Sequence, residues 1–94
     1  MKQTAMIVAA LTYLACATPA LANEAMAKAD GCLNCHAVDS KKVGPSFKDV
    51  AAKYKGKADA EAMLVDKITS GKGHPATKAS PADAKAIVQW VLAQ

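Results

Sequence analysis

From residue 46 onward, apolar residues recur along the chain at spacings of three and four, the period of helices that bury one face. In Ser46–Tyr54 they fall at Phe47, Val50, Ala51 and Tyr54. Lys53, Lys55 and Lys57 crowd the end of this stretch, where the helix dipole favours cations, and Gly56 closes it. A second stretch follows Asp59, a candidate cap, with Ala60, Met63, Leu64 and Ile68 on one face and Ala62 and Val65 at its edges. Ser70–Gly73 stops it. The last stretch has the clearest start: Ser80 as N-cap, Pro81 at N1 and Asp83 at N3 in a capping-box arrangement. Its buried face is Ala84, Ile87, Val88, Val91 and Leu92. Upstream, alanine-rich Glu24–Ala29 predicts a further short helix, and Ala37–Gly44 reads as a loop punctuated by Gly44-Pro45. No segment alternates as a strand. The expectation is an all-α fold of four short helices.

The first 22 residues follow a different rule. Met1-Lys2 leads into Thr4–Cys16 without another charge, and Ala20-Leu21-Ala22 offers small residues where a signal peptidase reads. Residues 1–22 are expected to be a secretory signal peptide, too short in its apolar run to be a membrane span, and 23–94 a single domain. Leu14-Ala15-Cys16 partly resembles a lipoprotein processing site, which would tether the chain through Cys16. The Ala20-Leu21-Ala22 site is better formed, so soluble export to the periplasm is the expectation.

Without the leader, 72 of the 94 residues remain, with one Phe, one Trp and one Tyr among them. So small a chain holds one thin core. It excludes a Rossmann unit, a barrel and any enzyme with a broad substrate cleft. Something besides side chains is expected to fill the interior.

The two cysteines of the mature chain stand in Gly31-Cys32-Leu33-Asn34-Cys35-His36. A structural disulfide is one reading. A thioredoxin-like redox pair needs a strand-then-helix setting in a larger fold. Zinc would have only Cys32, Cys35, His36 and His74, with Cys35 and His36 awkward as adjacent tetrahedral partners. The reading that fits best is covalent attachment of haem c, with both thiols bonded to vinyl groups and His36 carried beneath the iron. A large apolar cofactor also answers the shortage of core, at about 25 cal/mol per Å² of surface removed from water. The apoprotein is expected to be marginal or unfolded. Trp90 is placed either to pack on the first helix or to cover the haem edge.

At this point the residues resemble a class I cytochrome c, closest to the small bacterial cytochrome c-551 group. The resemblance rests on Gly31–Asp39, on Val43-Gly44-Pro45-Ser46-Phe47-Lys48-Asp49-Val50-Ala51-Ala52-Lys53-Tyr54, and on Gln89-Trp90-Val91-Leu92-Ala93-Gln94. It implies a small cytochrome fold in which the first and last helices cross tightly around one haem. It also implies a backbone carbonyl near Pro45 that accepts the Nδ1 proton of the proximal histidine. A protein of this kind shuttles single electrons in the periplasm.

The family places an axial methionine in a proline-rich loop before the last helix. Here that loop, Gly71–Pro81, is several residues shorter and holds no methionine. Met26 precedes the cysteine motif, and Met63 is expected in the core of a helix. His74 is the expected replacement, with Gly71 and Gly73 allowing a sharp entry and Pro75 restricting the chain after it. Bis-histidine ligation favours ferric haem and lowers the potential relative to a His/Met relative. The alternatives are an open or water-bound iron, Lys72 or Lys78 as ligand, and a ligand from a second molecule, since the short loop leaves open whether His74 reaches iron within one subunit. An open iron would make the protein a gas-binding sensor. A third reading is the cytochrome subunit of a larger dehydrogenase.

No residues resemble a nucleophile with its base, so no catalytic residue is assigned and no enzyme activity is expected. The mature chain carries eleven lysines, no arginine and a net charge of +3. Lys41, Lys42, Lys48, Lys53, Lys55 and Lys57 are candidates for a ring that guides acidic redox partners, such as other cytochromes, dehydrogenases or oxidases. Nucleic acid is disfavoured by the leader and the lack of arginine or interleaved aromatics. A monomer is expected, with dimerisation as the alternative.

Overall fold

The computed structural model of the chain describes residues 19–94; most of the expected leader, Cys16 included, lies outside the described residues. Four α-helices and no strand are found among those described. They are α1 (Pro19–Ala29), α2 (Phe47–Tyr54), α3 (Ala60–Ser70) and α4 (Pro81–Leu92), with one 3-10 turn at Cys32–Asn34 after α1.

Helix α1 starts five residues before the stretch expected from composition, at Pro19, a residue whose fixed φ suits a first helical turn. Ala20-Leu21-Ala22, chosen as a processing site, are also strong helix formers and carry the helix through. Helix α2 is capped by Ser46, whose Oγ accepts from the Asp49 N–H at 3.1 Å; this bond satisfies an otherwise buried hydroxyl. Ser80 does the same for α4, accepting from Asp83 N–H at 3.2 Å with Pro81 at N1. Asp59 occupies the N-cap of α3 but its side chain makes no capping bond. Its backbone, at φ −95° and ψ 2°, is not in the extended region from which a cap side chain reaches forward. Gly71 ends α3 in the left-handed region, with its N–H on the Lys67 carbonyl.

Helix α4 packs against all three other helices. The core it organises joins Ala27 of α1, Phe47 of α2, Ala79, and Ala84, Ile87, Trp90 and Val91 of α4. Trp90 is buried, meets Phe47 of α2 edge-on at 5.4 Å and 75°, and does not line the cavity described below. The face expected to be buried on α3 is less so. Only Ala60 is fully buried, Met63, Leu64, Val65 and Ile68 are half-buried, and Ala62 is exposed. Leu92 of α4 is half-buried as well. Leu64 and Ile68 turn towards the cavity, which explains their incomplete cover by protein atoms.

Candidate functional site

The cysteine motif leaves α1 through Gly31, at φ +82°, and winds one 3-10 turn. Within that turn the His36 N–H reaches the Cys32 carbonyl at 3.0 Å, so His36 is carried on the same coil as both thiols. Cys32 is half-buried, Cys35 is exposed, and the two are not joined in a disulfide. Burial, together with the Asp30 carboxylate, pushes the Cys32 thiol up against a weaker opposing backbone hydrogen bond. At neutral pH it is therefore held as a thiol. Asp30 is itself unusual: its Oδ2 is buried with no hydrogen-bond partner.

His36 is held on three sides. Its Nδ1 lies 2.6 Å from the Pro45 carbonyl oxygen. A carbonyl only accepts, so Nδ1 carries the proton and Nε2 keeps a free lone pair. Phe47 stacks on the ring at 5.1 Å and 23°. Gly44 lies against the other side, where an added Cβ would fall 2.4 Å from Cε1 and 2.8 Å from Nδ1. Gly44 was legible in the sequence only as a turn residue. Its second role, close approach of backbone to an imidazole, needs the structure to be seen. The Gly44 N–H also donates to the Cys35 carbonyl at 2.7 Å, tying this backbone to the motif.

His74 comes from the loop between α3 and α4. Its ring is parallel to that of His36, with an interplanar angle of 2° and centroids 6.0 Å apart. Its Nδ1 lies 2.7 Å from the Pro75 carbonyl oxygen, so by the same argument Nδ1 donates and Nε2 is left as a donor to a metal. Each imidazole thus has one nitrogen fixed by a proline carbonyl, the arrangement that sets tautomer and ring orientation in metal-ligating histidines.

Both rings line a cavity of about 270 Å³, whose other walls are largely apolar: Phe47, Val50, Leu64, Ile68, Ile87, Val88 and Val91. On their other side opens a cleft of about 590 Å³ that includes Cys35 and Val43. Cys32, His36, Pro45, His74 and Thr77 border both spaces. The residues therefore fit a flat iron macrocycle: two thiols on one edge, two imidazoles with free Nε2, and an apolar wall. No cluster of three or more His, Cys, Asp or Glu that would hold a bare metal ion is found among the described residues. No methionine lines either space; Met26 packs on the core and Met63 stays on α3.

The expected lysine ring divides into separate roles. Lys42 Nζ donates to the Leu33 carbonyl at 3.1 Å, and Lys48 pairs with Asp39 at 2.5 Å. Lys53 and Lys57 flank the Tyr54 ring, at 5.5 and 5.3 Å from its centre, with Lys55 between them in sequence.

A family model described as cytochrome c matches residues 20–94. Cytochrome c-551 of Pseudomonas aeruginosa is 42% identical over 78 residues, covering 76% of this chain and 75% of that protein. Cytochrome c-551 of Azotobacter vinelandii is 46% identical over 76 residues, covering 73% of this chain and 93% of that one. Among solved structures, the class 1 cytochrome MtoD of Sideroxydans lithotrophicus superposes with a TM-score of 0.67 at 42% identity, covering 77% of this chain and 91% of that one. Wild-type cytochrome c552 of Nitrosomonas europaea gives 0.66 at 41%, covering 74% and 96%.

Proposed function

The chain belongs to the cytochrome c family, with one covalently bound haem c, and we propose on that footing that it is a periplasmic single-electron carrier with bis-histidine iron ligation. Members of the family act as electron carriers and not as enzymes. The haem supplies one-electron exchange at its iron; the chain's own residues bind, orient and shield it.

Cys32 and Cys35 are the attachment residues. Both thiols would hold the haem as thioethers. His36, oriented by Pro45, Phe47 and Gly44, would offer its Nε2 to the iron. His74 of the same chain would offer a second imidazole nitrogen. The single observation that carries this reading is the parallel pair of imidazoles, 6.0 Å apart, each with its Nδ1 committed to a proline carbonyl. Lys72 and Lys78 are poorer candidates, being exposed and outside the inner cavity.

With His36 and His74 both offering imidazole nitrogens, the ligand set would not need to change between oxidation states. Reorganisation stays small, which suits electron transfer. Phe47, Leu64, Ile68, Ile87 and Val91 exclude water from the inner face. The exposed Cys35 and Val43 mark the edge through which electrons leave. The exposed lysines at the end of α2, Lys53, Lys55 and Lys57, favour a partner with an acidic surface, in a small and transient encounter. Export to the periplasm rests on the apolar leader; processing after Ala22 removes four residues of α1 and leaves Asn23, a good N-cap residue, at the new terminus.

The test is electron paramagnetic resonance and optical spectroscopy of the ferric and ferrous holoprotein beside His74→Ala. Low-spin spectra in the native protein, lacking a methionine-to-iron charge-transfer band and lost in the variant, support the reading. A native protein that is high-spin and binds CO in the ferrous state supports the sensor instead.

A further inference from the structure

We propose that Thr77 is the positioning residue that keeps His74 on the iron, a proposal that rests on the bis-histidine reading above. A helix leaves its last carbonyls without partners, and at the end of α3 the chain turns away at Gly71, φ +76°. The Ile68 carbonyl loses the Lys72 N–H that a continuing helix would supply; that N–H turns to the Ser70 hydroxyl instead. Thr77 fills the gap with two donors. Its backbone N–H reaches the Ile68 carbonyl at 2.9 Å and its Oγ1 hydroxyl reaches the same oxygen at 3.1 Å. The hydroxyl oxygen then accepts from the Ala79 N–H at 3.3 Å, and Ala79 is buried in the core.

These three bonds close Gly71–Ala76 into a short loop with His74 near its middle. A second observation shows how tightly it is closed. A Cβ added at Gly71 would meet the Ala76 Cβ at 3.3 Å and lie 3.7 Å from the His74 carbonyl oxygen, so the loop folds back on its own start. Thr77 also borders both the inner cavity and the outer cleft, immediately beside the space His74 enters. The loop is too short to hold His74 by packing of its own. Its grip comes from the staple to Ile68, and loss of the hydroxyl releases two of the three bonds.

The consequence is control of access to iron. With the staple in place, His74 excludes external ligands; with it loosened, His74 dissociates more often and the iron behaves as an open site. Thr77→Val keeps the shape and the backbone bond but removes the hydroxyl. In the holoprotein, it is expected to raise cyanide binding to ferric haem and CO binding to ferrous haem about tenfold, within the range that the two lost hydrogen bonds contribute net of solvation. Thr77→Ser restores native behaviour. Thr77→Val that melts earlier but binds cyanide and CO as the native protein does overturns the proposal, because it shows a merely structural hydroxyl. Should Thr77→Val give no folded holoprotein, Gly71→Ala strains the same loop from its other end; unchanged ligand access there also overturns it. His74→Ala separates the two readings. If its iron opens while the Thr77 and Gly71 variants stay closed, only the role of Thr77 fails; if its iron stays closed, the bis-histidine assignment fails and takes this proposal with it.

Discussion

The imidazole rings of His36 and His74 lie within 2° of parallel and 6.0 Å apart, although the residues stand 38 positions apart in the chain. Each is steered by a proline carbonyl, Pro45 for one and Pro75 for the other. Two different loops thus present the same chemical face to one cavity.

Gly44 is required by His36 rather than by its turn, since its φ is not positive. Gly44→Ala places a methyl 2.4 Å from the imidazole Cε1, and either ring or backbone must move. The variant is expected to lose about 1–3 kcal/mol of stability and to show a mixed-spin ferric spectrum. Denaturation followed at the Soret band, together with electron paramagnetic resonance, checks both.

Stability and ligation should separate at α4. Ser80→Ala removes the bond to Asp83 N–H and is expected to cost about 1 kcal/mol with an unchanged haem spectrum. Trp90→Ala removes the aromatic that anchors Phe47, itself stacked on His36. It should cost about 3–5 kcal/mol and perturb the spectrum as well. Urea titrations with optical readout compare the two.

Asp30 carries a buried oxygen without a partner, beside Cys32. A carboxylate there stabilises ferric over ferrous haem, because the ferric form carries the extra positive charge. Asp30→Asn is expected to raise the midpoint potential in a redox titration, and burial should keep the effect at high salt.

Lys53, Lys55 and Lys57 are exposed and clustered at the end of α2. Changing all three to Glu is expected to slow reduction of an anionic inorganic oxidant several-fold at low ionic strength. The difference should shrink as salt rises. Stopped-flow rates against ionic strength give the answer; Lys48, paired to Asp39, should matter less.

Much of this was legible in the sequence, and for identifiable reasons. The helices announced themselves through local signals, namely Ser80-Pro81 and the apolar spacing of α2 and α4. Cys32, Cys35 and His36 fall within one five-residue stretch, so their chemistry is read from spacing alone. His74 was reached by elimination of methionine, but its alignment with His36 depends on tertiary packing. Asp59 misled because residue type suggests a cap while backbone angles decide it. Thr77 and Gly44 were missed because their roles lie in contacts nine or fewer residues away that cross from one element to another. The apolar face of α3 was overestimated because Leu64 and Ile68 face a cavity, not a neighbouring helix.

The most direct test of the central claim is electron paramagnetic resonance of the ferric holoprotein before and after His74→Ala. A low-spin signal typical of two imidazoles is expected in the native protein. In the variant, conversion to high-spin iron that free imidazole returns to low-spin is expected. A variant that stays low-spin without added imidazole would contradict it, placing the sixth ligand elsewhere.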